Sequence, residues 1–331
     1  MATVGVEGAA NLAVVKKKNP RVEQFKFDLK LLVGNKLAFV GTTIVLFYFI
    51  IAILDSVYPQ YLGVPNISSM TVFTANNGVP NRSPIPIFSS VSPYGGPGWW
   101  YWLGGTFYNF PILPSMLAAL KIDLTVSLIV VLTGIAIGMV VGSVAGYLGG
   151  VVDEIVMRVT DVFFSVPYLI LAIVLVAEIG RNLNSVVISL VIIWWPIYAR
   201  LSRGLALTIK SQNFIEAAKA SGSSRLRNIF SHVMPNSLSP IFVQFSLDLG
   251  TIVLVIANLY FLGVSFTAGS GLFTPELGYM MNGPNEQILA YLTSGYWWPG
   301  LIPGLFLLLF TVSVNLMGDG LRDILDPKLR R

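Results

Sequence analysis

The side chains that most often carry catalysis are scarce in this sequence. It contains no cysteine and a single histidine, His232. Disulfides and thiolate metal sites are therefore excluded because the chain has no cysteine. A single histidine also leaves little basis for a histidine-based zinc site or a catalytic triad. No GxxxxGK[ST] phosphate-binding motif occurs either, so no segment is expected to hold a nucleotide. The chain is expected to bind no cofactor or metal itself, and a membrane-embedded enzyme is a remote alternative.

One segment that carries charge, residues 213–236 (NFIEAAKASGSSRLRNIFSHVMPN), lies between two long apolar runs. Its spacing predicts two short helices separated at Gly222, because glycine commonly ends a helix. Asn213 or Ser211 is expected to cap the first helix, and Ser223 or Ser224 the second. The first helix would place small residues on one face, which suits close approach by another protein. The second would carry an apolar stripe of Leu226, Ile229, Phe230, Val233 and Met234.

Composition indicates what surrounds this segment. Hydrophobic residues make up 54% of the chain and charged residues only 11%, against about 25% charged in soluble domains. Apolar runs long enough to cross a bilayer lie near residues 37–57, 122–147, 161–180, 186–207, 237–264 and 298–318. These predict an all-α polytopic membrane protein with six transmembrane helices. Glycines at positions 134, 138, 142 and 146 predict close helix packing in the second span.

The distribution of basic residues predicts the orientation of the chain. With a cytoplasmic N-terminus, all but three of the 21 Lys and Arg residues fall on the cytoplasmic side, as the positive-inside rule requires. Residues 1–36 and 319–331 would be cytoplasmic tails, 37–57 the first helix, and 58–121 an extracytoplasmic segment. Residues 122–318 would form a five-helix core with a cytoplasmic loop at 208–236. The net positive charge therefore indicates topology in a prokaryotic cytoplasmic membrane, not a nucleic-acid partner.

The predicted outer segment and the spans contain a few polar and aromatic candidates. Asn66 and Asn81 fit the N-glycosylation pattern. Trp99, Trp100 and Trp102 could contact an external binding protein or the outer membrane interface, or stack on sugar rings. Within the spans, Asp248 and Asn258 are candidates for a translocation path or a subunit interface, since buried polar residues in membranes are commonly functional.

Several motifs together resemble one family. Glu216-Ala217-Ala218, Gly222 and Met234-Pro235 resemble the EAA loop of permease subunits of binding-protein-dependent ABC importers. SHVMPN and NLMGDGLRDILDPKLR (315–330) are similar to the peptide-type branch, which imports dipeptides and oligopeptides. Supporting stretches are AGYLGGVVDEIVMRVTD (145–161), WPIYARLSRG (195–204) and FLGVS (261–265). The resemblance covers residues 122–331.

The resemblance implies a type I ABC importer bundle that works by alternating access. A coupling helix would dock into a cytoplasmic ATPase, and the implied docking residues are Phe214, Ile215, Glu216, Ala217, Ala218 and Gly222. The implied partners are a second, homologous permease, two ATPases that hold ATP and Mg²⁺, and an extracytoplasmic substrate-binding protein. A passive channel remains an alternative, although it would need no such helix.

Two departures from the family pattern leave the substrate open. LGGTFYNFP (103–111) replaces an acidic, arginine-containing motif, and VIANLYFLG (255–263) has Ile256 and Tyr260 where the family has an acidic residue and an SFLG run. Both lie towards the predicted outer side, where substrate would be delivered. The resemblance implies di- or oligopeptides, and the same architecture importing oligosaccharides is the alternative.

Overall fold

The part of the chain that the computed structural model describes is helical. It comprises residues 31–57, 86–88, 98–106, 111–264, 276–282 and 293–325. Apart from one isolated bridge between Gly105 and Pro111, these residues contain no β-structure. The predicted glycosylation positions Asn66 and Asn81 lie outside the described residues.

The helices are α1 (Lys36–Val57), α2 (Ile112–Leu148), α3 (Gly150–Ser165), α4 (Tyr168–Ile179), α5 (Leu183–Lys210), α6 (Asn213–Ala220), α7 (Arg225–Asn228), α8 (Met234–Phe261), α9 (Leu277–Asn282) and α10 (Trp298–Leu325). A 3₁₀ turn spans Gly98–Tyr101, and a π-helical turn, Ile229–Val233, joins α7 to α8. Among the described residues, five helical stretches are long and apolar enough to cross a membrane: α1, α2, α5, α7 to α8, and α10.

The remaining predicted span is broken. α3 and α4 together qualify as a sixth span, but they are bent by 89° at the break between them. The apolar run predicted one straight helix over residues 161–180, and this prediction is wrong. The cause is Pro167, which lacks an N–H donor and disfavours helical geometry in the residue before it. Val166 accordingly adopts an extended conformation, with φ −108° and ψ 132°.

Helix α2 is longer than its apolar run. It begins at Ile112 and has 37 residues, which gives a length of about 55 Å. Residues 112–121, predicted to belong to the outer segment, are part of this helix. Lys121 and Asp123 interrupt the apolar run, but they leave the backbone hydrogen bonds of the helix unaffected.

The glycines of α2 bring α5 into direct backbone contact. A Cβ at Gly138 would lie 2.5 Å from the carbonyl oxygen of Trp195, and a Cβ at Gly146 would lie 2.6 Å from that of Arg203. At Gly142 it would overlap the carbonyl oxygen of Ala199. The predicted close packing is therefore present, and it is the main helix pairing of the bundle.

The first and last helices also pack together. Gly41 of α1 lies against Leu316 and Ser313 of α10, and the Tyr48 hydroxyl donates a hydrogen bond to the Phe306 carbonyl at 3.0 Å. The Asn35 amide donates to the Asp323 carboxylate at 3.2 Å. The start of α1 and the end of α10 therefore lie at the same end of the bundle.

Candidate functional site

The predicted coupling loop, residues 208–236, begins with the short helix α6. This helix starts at Asn213 after Gln212, which makes no side-chain cap hydrogen bond. The expected cap by Asn213 or Ser211 is therefore wrong. The second helix is capped as predicted, because the Ser224 hydroxyl accepts a hydrogen bond from the Arg227 backbone N–H at 3.3 Å.

A sharp turn at Gly222 separates the two helices, as the sequence predicts. The backbone N–H of Ser223 bonds to the carbonyl of Ala218, and that of Gly222 to the carbonyl of Lys219, both at 3.0 Å. This pair of bonds is the Schellman arrangement that closes a helix. Gly222 has φ +82°, a conformation that other residues adopt only at an energetic cost. The glycine therefore fixes the direction in which the chain leaves α6.

Ile215 holds α6 to the rest of the chain. Its side chain has no solvent exposure and packs in a small apolar cluster with Tyr147 of α2, Ala206 of α5, and Ile229 and Val233 of the π-helical turn. Ile215 was predicted to be a docking residue. Because Ile215 is buried within its own chain, it anchors α6 to the helices beneath it.

The outer face of α6 is open. Phe214 is 46% exposed, Glu216 and Ala217 are exposed, and Ala218 is half-buried. The Phe214 ring contacts the His232 ring edge-on, with centroids 6.4 Å apart. These side chains form an apolar surface with one carboxylate, which is suited to contact with another protein.

The predicted apolar stripe of the second helix is divided between two environments. Ile229 and Val233 are fully buried, whereas Leu226 and Phe230 are 61% and 51% exposed. The buried pair packs under α6, and the exposed pair adds apolar surface to the same loop. The residues of the predicted stripe therefore do not share one environment.

Two ion pairs connect helices next to this loop. The Arg203 guanidinium donates two hydrogen bonds to Asp153, at 3.0 and 2.7 Å, and Arg200 pairs with Asp161 at 2.5 Å. Arg200 also lies over the Phe164 ring, 4.2 Å from its centroid. The family-like stretches 145–161 and 195–204 thus meet in space, and no local pattern in the sequence predicts this pairing.

Asp248 and Asn258 occupy different environments. Asp248 is buried, accepts a hydrogen bond from the Gln244 amide at 2.8 Å, and lies beside the Tyr198 hydroxyl and the Trp194 indole nitrogen of α5. Asp248 is thus surrounded by side chains of its own helix bundle, and the sequence did not reveal these neighbours. Asn258 is exposed on the surface of the bundle. The structure does not bring the two residues to one site.

A carboxyl pair that sequence reasoning missed lies at the other end of α2. Asp123 and Glu276 are both fully buried, and Asp123 lies beside Glu276 and the backbone of Leu277. Glu276 accepts a hydrogen bond from the Tyr279 backbone N–H at 2.7 Å. Burial raises the pKa of Glu276 above its ordinary 4.5, while backbone hydrogen bonds oppose the change. The only signal in the sequence was that Asp123 and Glu276 each lie among apolar residues.

The aromatic candidates of the outer segment differ in exposure. Trp100 is only 6% exposed and forms a buried cluster with Tyr101, so it is not available at the surface. Trp102 is 57% exposed. Trp99 lies in the 3₁₀ turn. Of the three predicted contact residues, the structure thus places Trp102 at the surface and Trp100 in the interior.

A family comparison agrees with this arrangement. The sequence profile of the family described as "Binding-protein-dependent transport system inner membrane component" matches residues 134–331, more than half of the chain.

The chain belongs to this family.

Similar proteins carry related names. The dipeptide transport system permease protein DppC of Alkalihalophilus pseudofirmus is 32% identical over 309 residues, which cover 93% of this chain and 91% of that protein. The glutathione transport system permease protein GsiD of Salmonella typhimurium is 38% identical over 236 residues, 71% of this chain and 75% of its own length.

A third relative matches over a shorter region. The probable D,D-dipeptide transport system permease protein DdpC of Escherichia coli K12 is 39% identical over 176 residues, so the match spans 53% of this chain and 56% of that protein. The names of these three relatives confirm the resemblance to peptide-type permeases that the motifs predicted. The chain is a multi-pass, all-helical inner membrane component of a binding-protein-dependent transport system.

Proposed function

We propose that this chain is the permease subunit of a type I ABC importer and forms part of the translocation path for di- or oligopeptides. The observation that carries the proposal is the loop 208–236. It presents an exposed helix, α6, that is anchored by Ile215 and closed at Gly222 within a chain of the transport family. A helix held in this way can transmit movement from a partner to the bundle.

The proposed assembly has a second, homologous permease, two cytoplasmic ATPases and an extracytoplasmic substrate-binding protein. ATP and Mg²⁺ would be bound by the ATPases. α6 would dock into one ATPase through Phe214, Glu216 and Ala217, with both termini and the loop in the cytoplasm. Closure of the ATPases would then move α6, and the bundle would change between inward-open and outward-open states. The ion pairs at Arg200 and Arg203 would keep α3 and α5 together during this movement.

Peptide transport is preferred over sugar transport because three similar proteins are named for peptide or glutathione transport. The sugar alternative depended on stacking by outer aromatic residues, and Trp100 is buried. Reconstituted transporter should show ATPase activity that rises with peptides and does not rise with oligosaccharides. Stimulation by oligosaccharides alone would keep the architecture and replace the proposed substrate.

The docking role is tested with one exposed carboxylate. Glu216→Arg should abolish ATPase binding without unfolding the chain, because Glu216 lies on the open face of α6. Glu178→Arg is the matched control, since Glu178 is exposed in the last turn of α4 and is not part of the loop. ATPase copurification should be lost only in the first variant. Normal copurification of the ATPases with Glu216→Arg would contradict the assignment of α6.

A further inference from the structure

A basic cavity lies beside α6, where residues of α2, α5, α6 and α7 meet. Its volume is about 450 Å³, and its lining includes Lys210 at the end of α5, Lys219 of α6, and Arg225 at the start of α7. Tyr147 and Leu148, the last residues of α2, complete one wall with Ser223 and Asn228. None of these lining residues is acidic.

The basic side chains of this cavity form no ion pair with the described part of the chain. In the ranges that the structure describes, no carboxylate lies within ion-pair distance of Lys210, Lys219 or Arg225. Asp153 is near enough to interact with Lys210, but both of its oxygens accept hydrogen bonds from Arg203. Like charges gathered at one place repel each other, so an anion in the cavity would be favoured.

The aromatic ring of Tyr147 brings two of these cations together. The ammonium groups of Lys210 and Lys219 lie 5.7 and 6.0 Å from the centroid of the ring. The Tyr147 hydroxyl in turn accepts a hydrogen bond from the Asn228 amide at 2.9 Å. Both ammonium groups therefore lie close to one ring, whose hydroxyl is held by Asn228.

Two polar atoms in the lining lack partners. Ser223 Oγ and Asn228 Oδ1 are buried, and neither has a hydrogen-bond partner among the described residues. Asn228 is only 1% exposed. Reversing the Asn228 amide would let its oxygen accept from the Tyr147 hydroxyl and free its NH₂ group to donate. Ser223 and Asn228 could then each donate a hydrogen bond to an anionic oxygen.

The location selects the kind of anion. Lys210 and Leu148 end two of the helices that are long and apolar enough to span a membrane, so the cavity opens where those spans end. Basic pockets between helices on the cytoplasmic side of a membrane bind the headgroups of anionic phospholipids. A volume of about 450 Å³ accommodates a phosphate group with several waters, each of which occupies about 30 Å³ in the liquid.

We infer that this cavity is a binding site for a phosphate group, supplied by an anionic phospholipid headgroup, that joins the end of α2 to the coupling helix. The inference depends on the proposed function for the orientation of the loop towards the cytoplasm. Occupancy would link Lys210, Lys219 and Arg225 through one anion. The position of α6 would then respond to the lipid composition of the membrane.

The experiment measures lipid retention by the full-length chain purified in detergent, with native mass spectrometry. Phosphatidylglycerol and phosphatidylcholine are the probes, because only the first carries a net negative headgroup. The wild type should retain phosphatidylglycerol in preference to phosphatidylcholine. Arg225→Gln should weaken this retention about fivefold, the effect of one basic residue near an anionic membrane surface.

The matched control is Arg227→Gln. Arg227 is exposed on the same short helix but does not line the cavity, and this variant should retain lipid like the wild type. Lys210→Gln provides a second test from a different helix and should lose retention as Arg225→Gln does. Equal retention by the Arg225→Gln and Arg227→Gln variants, with Lys210→Gln also unchanged, would overturn the inference.

Two further measurements distinguish a lipid phosphate from free phosphate, and a lipid from a protein partner. Binding of inorganic phosphate by the wild type, without preferential retention of phosphatidylglycerol, would uphold the phosphate site and assign it to the free ion. Loss of ATPase binding in Arg225→Gln with unchanged lipid retention would assign the cavity to a protein partner and overturn the lipid inference. Lipid retention is measured without the ATPase. A failure of the lipid inference can therefore be told apart from a failure of the ATPase-docking proposal, which Glu216→Arg tests.

Discussion

Arg203 and Asp153 join α5 to α3 through two parallel hydrogen bonds, at 3.0 and 2.7 Å. Such a paired arrangement depends on the planar guanidinium, which lysine cannot reproduce. Asp153 also interacts with Lys210 at the end of α5, so the pair holds α3 to α5 close to where the loop 208–236 begins.

Arg203→Lys should therefore lower the free energy of unfolding by about 1 kcal/mol. The effect is kept modest by solvent, because the Arg203 side chain is 36% exposed. The measurement is thermal unfolding in detergent. Arg200→Lys is the control, since the Arg200–Asp161 pair is more exposed at 49% and 52% and should matter less. Equal losses in the two variants would show that burial does not determine the strength of these pairs.

Gly142→Ala should disrupt the packing of α2 on α5, because the added methyl group would overlap the Ala199 carbonyl oxygen. We expect a loss of about 1–3 kcal/mol from forced separation of the helices. Gly134→Ala is the control, since its methyl group would lie 3.4 Å from the Tyr198 ring, an ordinary contact. That variant should be neutral or more stable by up to about 1 kcal/mol, the difference in helix propensity. Thermal unfolding of both variants tests the difference.

Ile215→Ala should loosen α6, because it removes a fully buried side chain from the cluster beneath the helix. A cavity of this kind costs about 2 kcal/mol or more, which corresponds to roughly 30-fold faster hydrogen exchange in α6. Phe214→Ala should leave exchange near the wild-type rate, since Phe214 is 46% exposed, and should instead weaken ATPase binding. An unchanged rate of hydrogen exchange in α6 of the Ile215→Ala variant would contradict the anchoring role of Ile215.

Gly222→Ala should destabilise the turn after α6 by about 1–2 kcal/mol, because alanine disfavours positive φ. No other atom lies within 4 Å of the added methyl position, so the backbone alone sets this cost. Gly222→Asn should be closer to the wild type, since asparagine tolerates this conformation. Substrate-stimulated ATPase activity of the assembled transporter is the measurement. An alanine variant as active as the asparagine variant would contradict the argument from backbone geometry.

Stability should depend on the ionisation of Glu276. Burial raises its folded-state pKa above the ordinary 4.5. The stability contributed by the protonated form is therefore full below about pH 4.5 and is lost as pH rises through the folded-state pKa. The wild type should thus lose stability relative to Glu276→Gln as pH rises above about 4.5. Glu178→Gln, at an exposed site, should keep the wild-type profile. Parallel pH profiles for the wild type and Glu276→Gln would contradict the prediction.

Local signals in the sequence predicted much of the fold and of the loop. The glycine repeat in α2, the turn at Gly222 and the cap at Ser224 each depend on residues close together in the chain. The apolar runs located most of the spans for the same reason. Hydropathy alone did not reveal the break at Val166, although Pro167 provided a signal for it.

Contacts between distant segments could not be predicted. Asp153 is separated from Arg203 by 50 residues. Asp123 lies in α2 and Glu276 directly precedes α9, so their meeting depends on the packing of the bundle. The burial of Ile215 was missed for a related reason. Its cluster combines α2, α5 and the π-helical turn, and no periodicity within α6 reveals those neighbours.

The length of α2 has a mechanical consequence. Near one end Asp123 lies beside Glu276, and 24 residues later Tyr147 packs against Ile215 beneath α6. The helix separates these two positions by about 36 Å with no proline between them to act as a hinge. A tilt of about 10° around either position would displace the other by about 6 Å over that length. α2 is thus a lever arm that connects the coupling loop to the buried carboxyl pair on the far side of the bundle.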